Sequence, residues 1–260
     1  MTDFTDLSRE LDRWLEMGRQ ANLWWRDDDA CQASPALSRL VSAARRHHVP
    51  LALAVIPARL DGSLEAFIGE SGDVDVTILQ HGFAHRNHAA IGGRAVECGG
   101  ARPLDAVMTE FGDGRRRLAS SFGARFRPVM VPPWNRIESA VAEALPAVGY
   151  EALSVFGPRP AAEGPDGLMQ VNAHLDLLTW KGGARFAGAE KLMRLCAERL
   201  EDRRLGRSDP EEPFGILTHH LDHDEATSDF LDRLLGLLAA HPAVHWPSAS
   251  ALFAVGGNLA

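Results

Sequence analysis

Short apolar runs alternate with amphipathic helical patterns along this sequence, and this alternation limits the possible folds more than any other feature. The apolar runs include residues 22–26 (NLWWR), 51–57 (LALAVIP) and 214–218 (FGILT). Alternation of this kind is typical of βα units that build a parallel sheet. Seven or eight such units can be counted, with no Pro- or Ser-rich linker and no tandem repeat. The sequence therefore predicts one barrel-like α/β domain over residues 1–260.

The N-terminal segment predicts a helix that precedes the first strand. Leu7, Leu11, Trp14 and Leu15 recur at helical spacing, which predicts an amphipathic helix over about residues 5–20. The segment has neither a basic start nor an apolar run, and no stretch of the chain approaches the roughly 18 apolar residues of a membrane span. We therefore expect a cytoplasmic protein.

Charge and cysteine content narrow the range of partners. Lys and Arg number 27 against 35 Asp and Glu, giving a net charge of −8, so nucleic acid and membrane surfaces are not expected as partners. Cys31, Cys98 and Cys196 are odd in number and have no CxxC spacing. This usage predicts free thiols in a reducing compartment rather than a disulfide framework.

Polar residues that can bind metal follow several predicted strands. An aspartate triplet (27–29) ends the first strand, and six of the eleven histidines fall within residues 81–88 and 219–223. In βα barrels the chemistry lies at the carboxyl ends of the strands. On a helical turn, His81 and His85 at i, i+4 could share one cation, with a carboxylate of the triplet as third ligand. Such a set leaves coordination positions open, as in catalytic sites.

Five motifs occur in the order found in a known family. They are Asp27-Asp28, HGFAH (81–85), VPPW (131–134), DLLTW (176–180) and LTHH (217–220). In this order they resemble the polysaccharide deacetylase (NodB homology) family over roughly residues 23–221. The resemblance implies an irregular (β/α) barrel of seven to eight strands. It also implies removal of N- or O-acetyl groups from sugars with a divalent metal, commonly Zn²⁺, although Co, Ni, Mn or Fe would suit the same donors.

The resemblance implies a role for each matching residue. Asp27 becomes the general base, and Asp28, His81 and His85 become the metal ligands. The remaining matches are the general acid His219, the fourth-motif residues Asp176 and Trp180, the groove residues Pro133 and Trp134, and Leu217 of the fifth motif.

Some positions of the motifs have more than one interpretation. Asp29 stands where the family usually has glycine, and it could cap the next helix or add a polar wall to the site. His220 competes with His219 for the acid role and is otherwise expected to contact substrate. The family's third-motif arginine, which pairs with the base, is replaced by Val131. Arg26, a predicted substrate-site residue, or Arg136 could take over its role.

The chemistry of amide hydrolysis supports this set without the resemblance. A divalent metal activates water and polarises the carbonyl. Asp27 would accept the proton of that water, and His219 would donate one to the leaving nitrogen. A nearby carboxylate such as Asp176 would favour the protonated imidazole. We therefore predict a metal-dependent deacetylase acting on a small acylated amino sugar or an oligosaccharide.

Three other functions compete with this hypothesis. The first is a catalytically silent barrel that binds a carbohydrate or metabolite and retains the motifs. The second is a zinc amidohydrolase of the regular eight-fold barrel type, but that class carries His-x-His after its first strand, where this chain has the aspartate triplet. The third is a pure interaction scaffold, which would not need metal-binding residues at several strand ends.

Overall fold

The structure is a computed structural model that describes residues 4–163 and 167–253. Its strands, in chain order, are β1 (Ala21–Ala30), β2 (Leu51–Val55), β3 (Val76–His81), β4 (Phe126–Val131), β5 (Ala152–Leu153), β6 (Met169–Gln170), β7 (Leu175–Asp176), β8 (Leu178–Thr179), β9 (Arg185–Phe186), β10 (Phe214–Thr218) and β11 (Val244–His245). Its helices are α1 (Thr5–Glu16), α2 (Pro35–His47), α3 (Gly62–Glu70), α4 (Leu104–Phe122), α5 (Ser139–Ala144), α6 (Ala189–Arg204), α7 (Glu225–Ala240) and α8 (Ala249–Leu252).

A curved parallel sheet forms the centre of the molecule. Its hydrogen-bonded order is β6-β5-β4-β3-β2-β1-β10-β7, and β11 pairs with the start of β1. The short strands β8 and β9 form a separate antiparallel pair. Eight parallel strands along one path confirm the prediction of an α/β barrel of seven to eight strands, here left open between β6 and β7.

Two apolar layers cover the two faces of the sheet, which explains why its central strands are apolar throughout. Trp24 lies on the inner face, where it packs with Ala52 and Leu79 of the neighbouring strands. Trp25 lies on the outer face, in the cluster that contains the apolar residues of the surrounding helices, Leu37 of α2 among them. Side chains of a strand alternate between its faces, so these two tryptophans fix which face each following residue of β1 should occupy.

The N-terminal helix is shorter than the sequence predicts. α1 ends at Glu16 rather than near residue 20, and Gly18 adopts the left-handed conformation just after it. Its buried residues Leu7, Leu11 and Trp14 face the core, and the helix contacts α6. In the part of the chain that the structure describes, no helix is both long enough and apolar enough to cross a bilayer. Cys31, Cys98 and Cys196 are all free.

Candidate metal and catalytic site

An irregularity in β1 determines which aspartates of the triplet face the barrel interior. The register between β1 and β2 is regular at Arg26 and Asp27, and it has shifted by Ala30. Asp29 adopts a positive φ of 72° within this irregularity. In a regular strand Asp27 and Asp29 would share one face. The irregularity breaks this alternation, so that Asp28 and Asp29 both line the interior cavity, while Asp27 does not.

Asp29, His81 and His85 form the cluster of potential metal ligands. Asp29 Oδ1 lies 3.2 Å from His81 Nε2 and 3.3 Å from His85 Nε2. The motif resemblance had implied Asp28 as this ligand, with Asp29 as a helix cap or a polar wall. The helix cap is instead Ser34, whose side chain accepts a hydrogen bond from Leu37 N–H.

The donors of this cluster fit a divalent cation. His81 Nδ1 lies 3.0 Å from the carbonyl oxygen of Val131, and donation to that oxygen leaves Nε2 with its lone pair facing Asp29. Asp29 Oδ1 is buried and has no hydrogen-bond partner. Two acceptor atoms directed at each other are stabilised by a cation between them. One carboxylate oxygen and two imidazole nitrogens suit zinc and its neighbouring divalent metals.

The same charges shift the pKa values of the three groups. Burial favours the neutral form of Asp29, but the two imidazoles outweigh it and lower the pKa of this carboxyl well below its ordinary range. Burial lowers the pKa of His81, but the carboxylates of Asp28 and Asp29 reverse the effect, and the net pKa is raised. Burial and the neighbouring His81 lower the pKa of His85. Without a metal, the carboxylates of Asp28 and Asp29 therefore favour a positive charge at His81, beside the place that a cation would occupy.

A buried glutamate, rather than a helical turn, brings His85 to His81. His81 ends β3, and the residues after it form an irregular loop. The Glu97 carboxylate accepts hydrogen bonds from the backbone N–H groups of Phe83, Ala84 and Arg86, at 3.0, 2.8 and 3.2 Å. This corrects the expected helical turn, and Glu97 itself is fully buried.

Gly82 is required for this arrangement. Its φ is positive (54°), and a Cβ atom there would lie 2.0 Å from the Glu97 carboxylate and 2.7 Å from the ring of Pro133. Any side chain would displace the carboxylate that holds the loop. Pro133 is thus buried against the turn and is not among the residues that line the cavity, contrary to its predicted place in the groove.

Asp28 lies beside the metal cluster and is paired with Arg26. Its Oδ1 lies 2.9 Å from Arg26 Nε, and its Oδ2 accepts a hydrogen bond from Nη2 at 3.1 Å. Ser154 and Asn135 accept further hydrogen bonds from the same guanidinium, at 2.7 and 2.6 Å. Arg26 is fully buried and does not line the cavity, so it contacts the acid instead of a substrate. Arg26, and not Arg136, thus pairs with a carboxylate of the triplet.

His219 faces Asp28 across the cavity. Its Nε2 lies 4.0 Å from Asp28 Oδ2. The indole of Trp180 packs edge-on against the imidazole, with ring centroids 4.6 Å apart. The Asp176 carboxylate accepts a hydrogen bond from this indole at 2.8 Å, and burial raises the pKa of Asp176. Asp176 therefore reaches His219 through Trp180 and through its charge, and the imidazole Nδ1 is buried without a hydrogen-bond partner.

Asp27 and His220 pair on the other side of β1, away from the cavity. Asp27 Oδ1 lies 2.5 Å from His220 Nδ1, and its Oδ2 accepts hydrogen bonds from the Thr218 hydroxyl and the His220 N–H. Burial opposes ionisation of Asp27, but His220 and Thr218 lower its pKa on balance. Neither Asp27 nor His220 lines the cavity, so the structure does not bring either residue to the place predicted for a base or a substrate contact. Leu217 is likewise fully buried in β10.

Four of the five non-glycine residues with positive φ in the described part of the chain line this cavity. They are Asp29, His85, Trp134 and Asn135, and the fifth, His48, is the C-cap residue of α2. Such conformations cost on the order of 1 kcal/mol or more each and cluster at functional sites. Trp134 uses this geometry to place its ring 4.4 Å from that of His85.

These residues line one cavity of about 700 Å³. Of the residues predicted from the sequence for the site, the cavity is lined by Asp28, His81, His85, Trp134, Asp176, Trp180 and His219. Asp29, whose role the sequence left open, also lines it. The volume is in the range of small-molecule sites, roughly 300–1,000 Å³. The cavity therefore joins a metal-ligand cluster, an arginine-held carboxylate and a histidine within the space of a sugar-sized ligand.

His174 lines the same cavity, and its environment should make the free energy of unfolding depend on pH. Its Nδ1 accepts a hydrogen bond from the Gly215 N–H at 3.0 Å, which requires an unprotonated nitrogen. Burial lowers the pKa of His174 to about 4. The unfolded chain takes up this proton near pH 6.5 and the folded chain resists it, so stability is lost as the pH falls from 6.5 towards 4. We expect a loss of about 3 kcal/mol in the free energy of unfolding.

Urea unfolding between pH 7.5 and 4 measures this effect. His174→Gln should flatten the dependence, whereas the exposed His245→Gln should preserve it. An unchanged slope in His174→Gln would assign the acid sensitivity to other groups.

Comparison with solved structures shows which fold surrounds this cavity. A family 4 acetyl xylan esterase from Clostridium thermocellum, in complex with a cobalt ion, aligns over 89% of each chain with a TM-score of 0.57 and 12% identity. The Bc1960 peptidoglycan N-acetylglucosamine deacetylase aligns over 92% of this chain and 95% of its own, with a TM-score of 0.56 and 15% identity. A mutant of BA3943, described as a family 4 pseudoenzyme with restored activity, aligns over 90% of this chain and 68% of its own, with a TM-score of 0.55 and 13% identity.

These matches confirm the predicted resemblance at the level of the fold. No protein-family model matches the chain, and no curated protein matches its sequence. The chain thus has the (β/α) barrel fold of the family 4 carbohydrate esterases and polysaccharide deacetylases.

Proposed function

We propose that the chain is a metal-dependent hydrolase that removes an N- or O-acetyl group from a carbohydrate or a related small molecule. The observation that carries this proposal is the buried, unpartnered Asp29 oxygen between the nitrogens of His81 and His85. A peptidoglycan deacetylase and an acetyl xylan esterase with the same fold, the esterase in complex with a cobalt ion, add support. Zinc is the metal we favour, with cobalt, nickel, manganese and iron as alternatives.

In this proposal the position of each side chain in the site determines its role. Asp29, His81 and His85 would hold the cation, which when bound supplies a Lewis acid for the acetyl carbonyl and lowers the pKa of a bound water. Asp28 would accept the proton of the attacking water, and Arg26 holds the Asp28 carboxylate in place for that role. The general base thus moves from the predicted Asp27 to Asp28, and the carboxylate ligand moves from Asp28 to Asp29.

The leaving group needs a proton, which would come from the side of the cavity opposite Asp28. His219 would supply it, because its imidazole lines the cavity and faces Asp28. Trp180 packs against this imidazole and restricts its orientation. Trp134 and Trp180 also offer apolar ring surface to a sugar. The substrate is a small molecule or oligosaccharide, and we retain the cytoplasmic setting, with which three free cysteines agree.

Acetate release tests the proposed function directly. The protein is stripped of metal with a chelator, reloaded with zinc, cobalt or no metal, and incubated with a panel of N-acetylated and O-acetylated sugars. We expect acetate release only from the metal-loaded protein. Undiminished release by the metal-free protein would contradict the proposal.

A silent binding barrel is the second candidate, and one structural neighbour is itself described as a family 4 pseudoenzyme. The same panel separates the two functions when Asp28→Asn is run beside the wild type. Equal background acetate in both proteins, together with measurable sugar binding, would favour the binding barrel. Loss of a wild-type signal in Asp28→Asn would favour the hydrolase.

A further inference from the structure

The exposed part of the cavity carries positive charge that the proposed reaction does not use. Arg94, Arg136 and Lys191 all line the cavity. Arg94 and Lys191 are exposed, and Arg136 is partly exposed. The chain as a whole has a net charge of −8. Three positively charged side chains therefore surround one opening in a protein whose net charge is negative.

The acids of the cavity face other groups and not these three cations. Asp28 is paired with Arg26, Asp29 lies between two histidines, and Asp176 accepts the hydrogen bond of Trp180. In the described ranges, Arg94, Arg136 and Lys191 form no ion pair with a carboxylate. The cations are therefore available to a ligand.

Arg136 is tied to the segment that carries Arg94. Arg136 Nη1 donates a hydrogen bond to the carbonyl oxygen of Ala95, the residue next to Arg94, at 2.9 Å. Arg136 Nε is buried without a hydrogen-bond partner. Burial and the charge of Arg94 both lower the pKa of Arg136. Two guanidinium groups that line one cavity, one of them with a free donor, are an arrangement that a bound anion stabilises.

We propose that Arg94 and Arg136, assisted by Lys191, form an anion-binding subsite, and that the substrate is an acetylated sugar bearing a carboxylate or a phosphate. This inference rests on the proposed function for the identity of the acetyl sugar. The anion-binding property itself does not depend on catalysis. The planar fork of arginine binds both anions through paired hydrogen bonds, which explains why arginines form the subsite.

Binding and turnover of three matched sugars test the subsite. N-acetylglucosamine is neutral, N-acetylglucosamine 6-phosphate carries a phosphate, and N-acetylmuramic acid carries a carboxylate. Calorimetry with the zinc-loaded protein measures affinity, and acetate release is followed in the same samples. We expect at least one anionic sugar to bind about tenfold or more tightly than the neutral sugar at low salt, with the preference falling as salt rises.

Charge-removing variants assign the preference to the two arginines. Arg94→Gln and Arg136→Gln should each reduce it, and Arg136→Lys should restore part of it. Arg199→Gln is the matched control, because Arg199 is exposed on α6 and lies outside the cavity. A preference for only the phosphate or only the carboxylate identifies the source of the anion, and either supports the subsite.

The outcomes separate this inference from the proposed function. An anion preference that the arginine variants remove, without any acetate release, would support the subsite and count against the hydrolase. Acetate release from neutral and anionic sugars at equal kcat/KM would support the hydrolase and overturn the subsite. Absence of any preference in binding, or a preference that survives both substitutions, would also overturn it.

Discussion

Replacing Asp29 by asparagine is expected to empty the metal site, whereas replacing Asp28 by asparagine is expected to leave the metal bound and remove the activity. Asp29 Oδ1 is the atom within 3.3 Å of both imidazole nitrogens, and Asp28 is paired with Arg26 instead. Loss of even an outer partner of a metal ligand weakens metal binding by about 10–100-fold. We expect the loss of a direct ligand to weaken it by about 100-fold or more.

Metal content per chain, measured by elemental analysis after dialysis against a weak chelator, tests this prediction. Asp75→Asn is the matched control, because Asp75 is exposed and lies outside the cavity. Circular dichroism should show a folded Asp28→Asn protein, since Arg26 retains its bonds to Ser154 and Asn135. If Asp28→Asn loses the metal and Asp29→Asn keeps it, the two roles are reversed.

Replacing His219 by glutamine is expected to affect substrates according to their leaving group. A general acid contributes about 10²–10⁴-fold to rate when the leaving group needs a proton. An acetylated amino sugar releases an amine and should lose that factor. 4-Nitrophenyl acetate releases a stable phenolate and should lose much less.

The ratio of kcat/KM for the two substrates measures the role of His219. His245→Gln serves as control, because His245 is exposed and outside the cavity. Metal content should remain unchanged in both variants. An equal loss for the two substrates would show that His219 acts on binding or positioning and not as the acid.

The sequence predicted the fold well because the fold depends on patterns that are local in the chain. Apolar runs such as residues 51–55 and 214–218 become fully buried strands of the parallel sheet. Strands with both faces covered need this composition whatever their neighbours are. The same rule placed the polar clusters correctly, since Asp28, His81 and His219 all lie at the carboxyl ends of parallel strands of one sheet and line one cavity.

The roles within the aspartate triplet could not be predicted, because they depend on a change of register. Simple alternation places Asp27 and Asp29 on one face. The irregularity between Asp27 and Ala30 turns Asp29 into the cavity and leaves Asp27 outside it. Local sequence does not encode this shift, because it arises from pairing with β2. Matching the first two aspartates to the family motif therefore placed the base at Asp27 and the ligand at Asp28, whereas Asp28 and Asp29 are the ones that line the cavity.

The interactions that position His85 could not be predicted from the sequence either. An i, i+4 pair of histidines suggests a helical turn, but the loop is held by Glu97, twelve residues further along the chain. Glu97 lies in a glycine-rich segment whose composition is typical of exposed loops. Only the fold shows that its carboxylate accepts hydrogen bonds from three backbone N–H groups.

Arg26 and Asp28 are two residues apart on a single strand, and this has a consequence for how the protein can diversify. A charged pair carried by one segment is inherited together and forms as soon as β1 is paired with its neighbours. The loop after β4 then does not have to supply the cation. It contributes only the acceptor Asn135 to the guanidinium and the ring of Trp134 to His85, so changes elsewhere in this loop can alter the fit of a sugar and leave the Arg26–Asp28 pair intact.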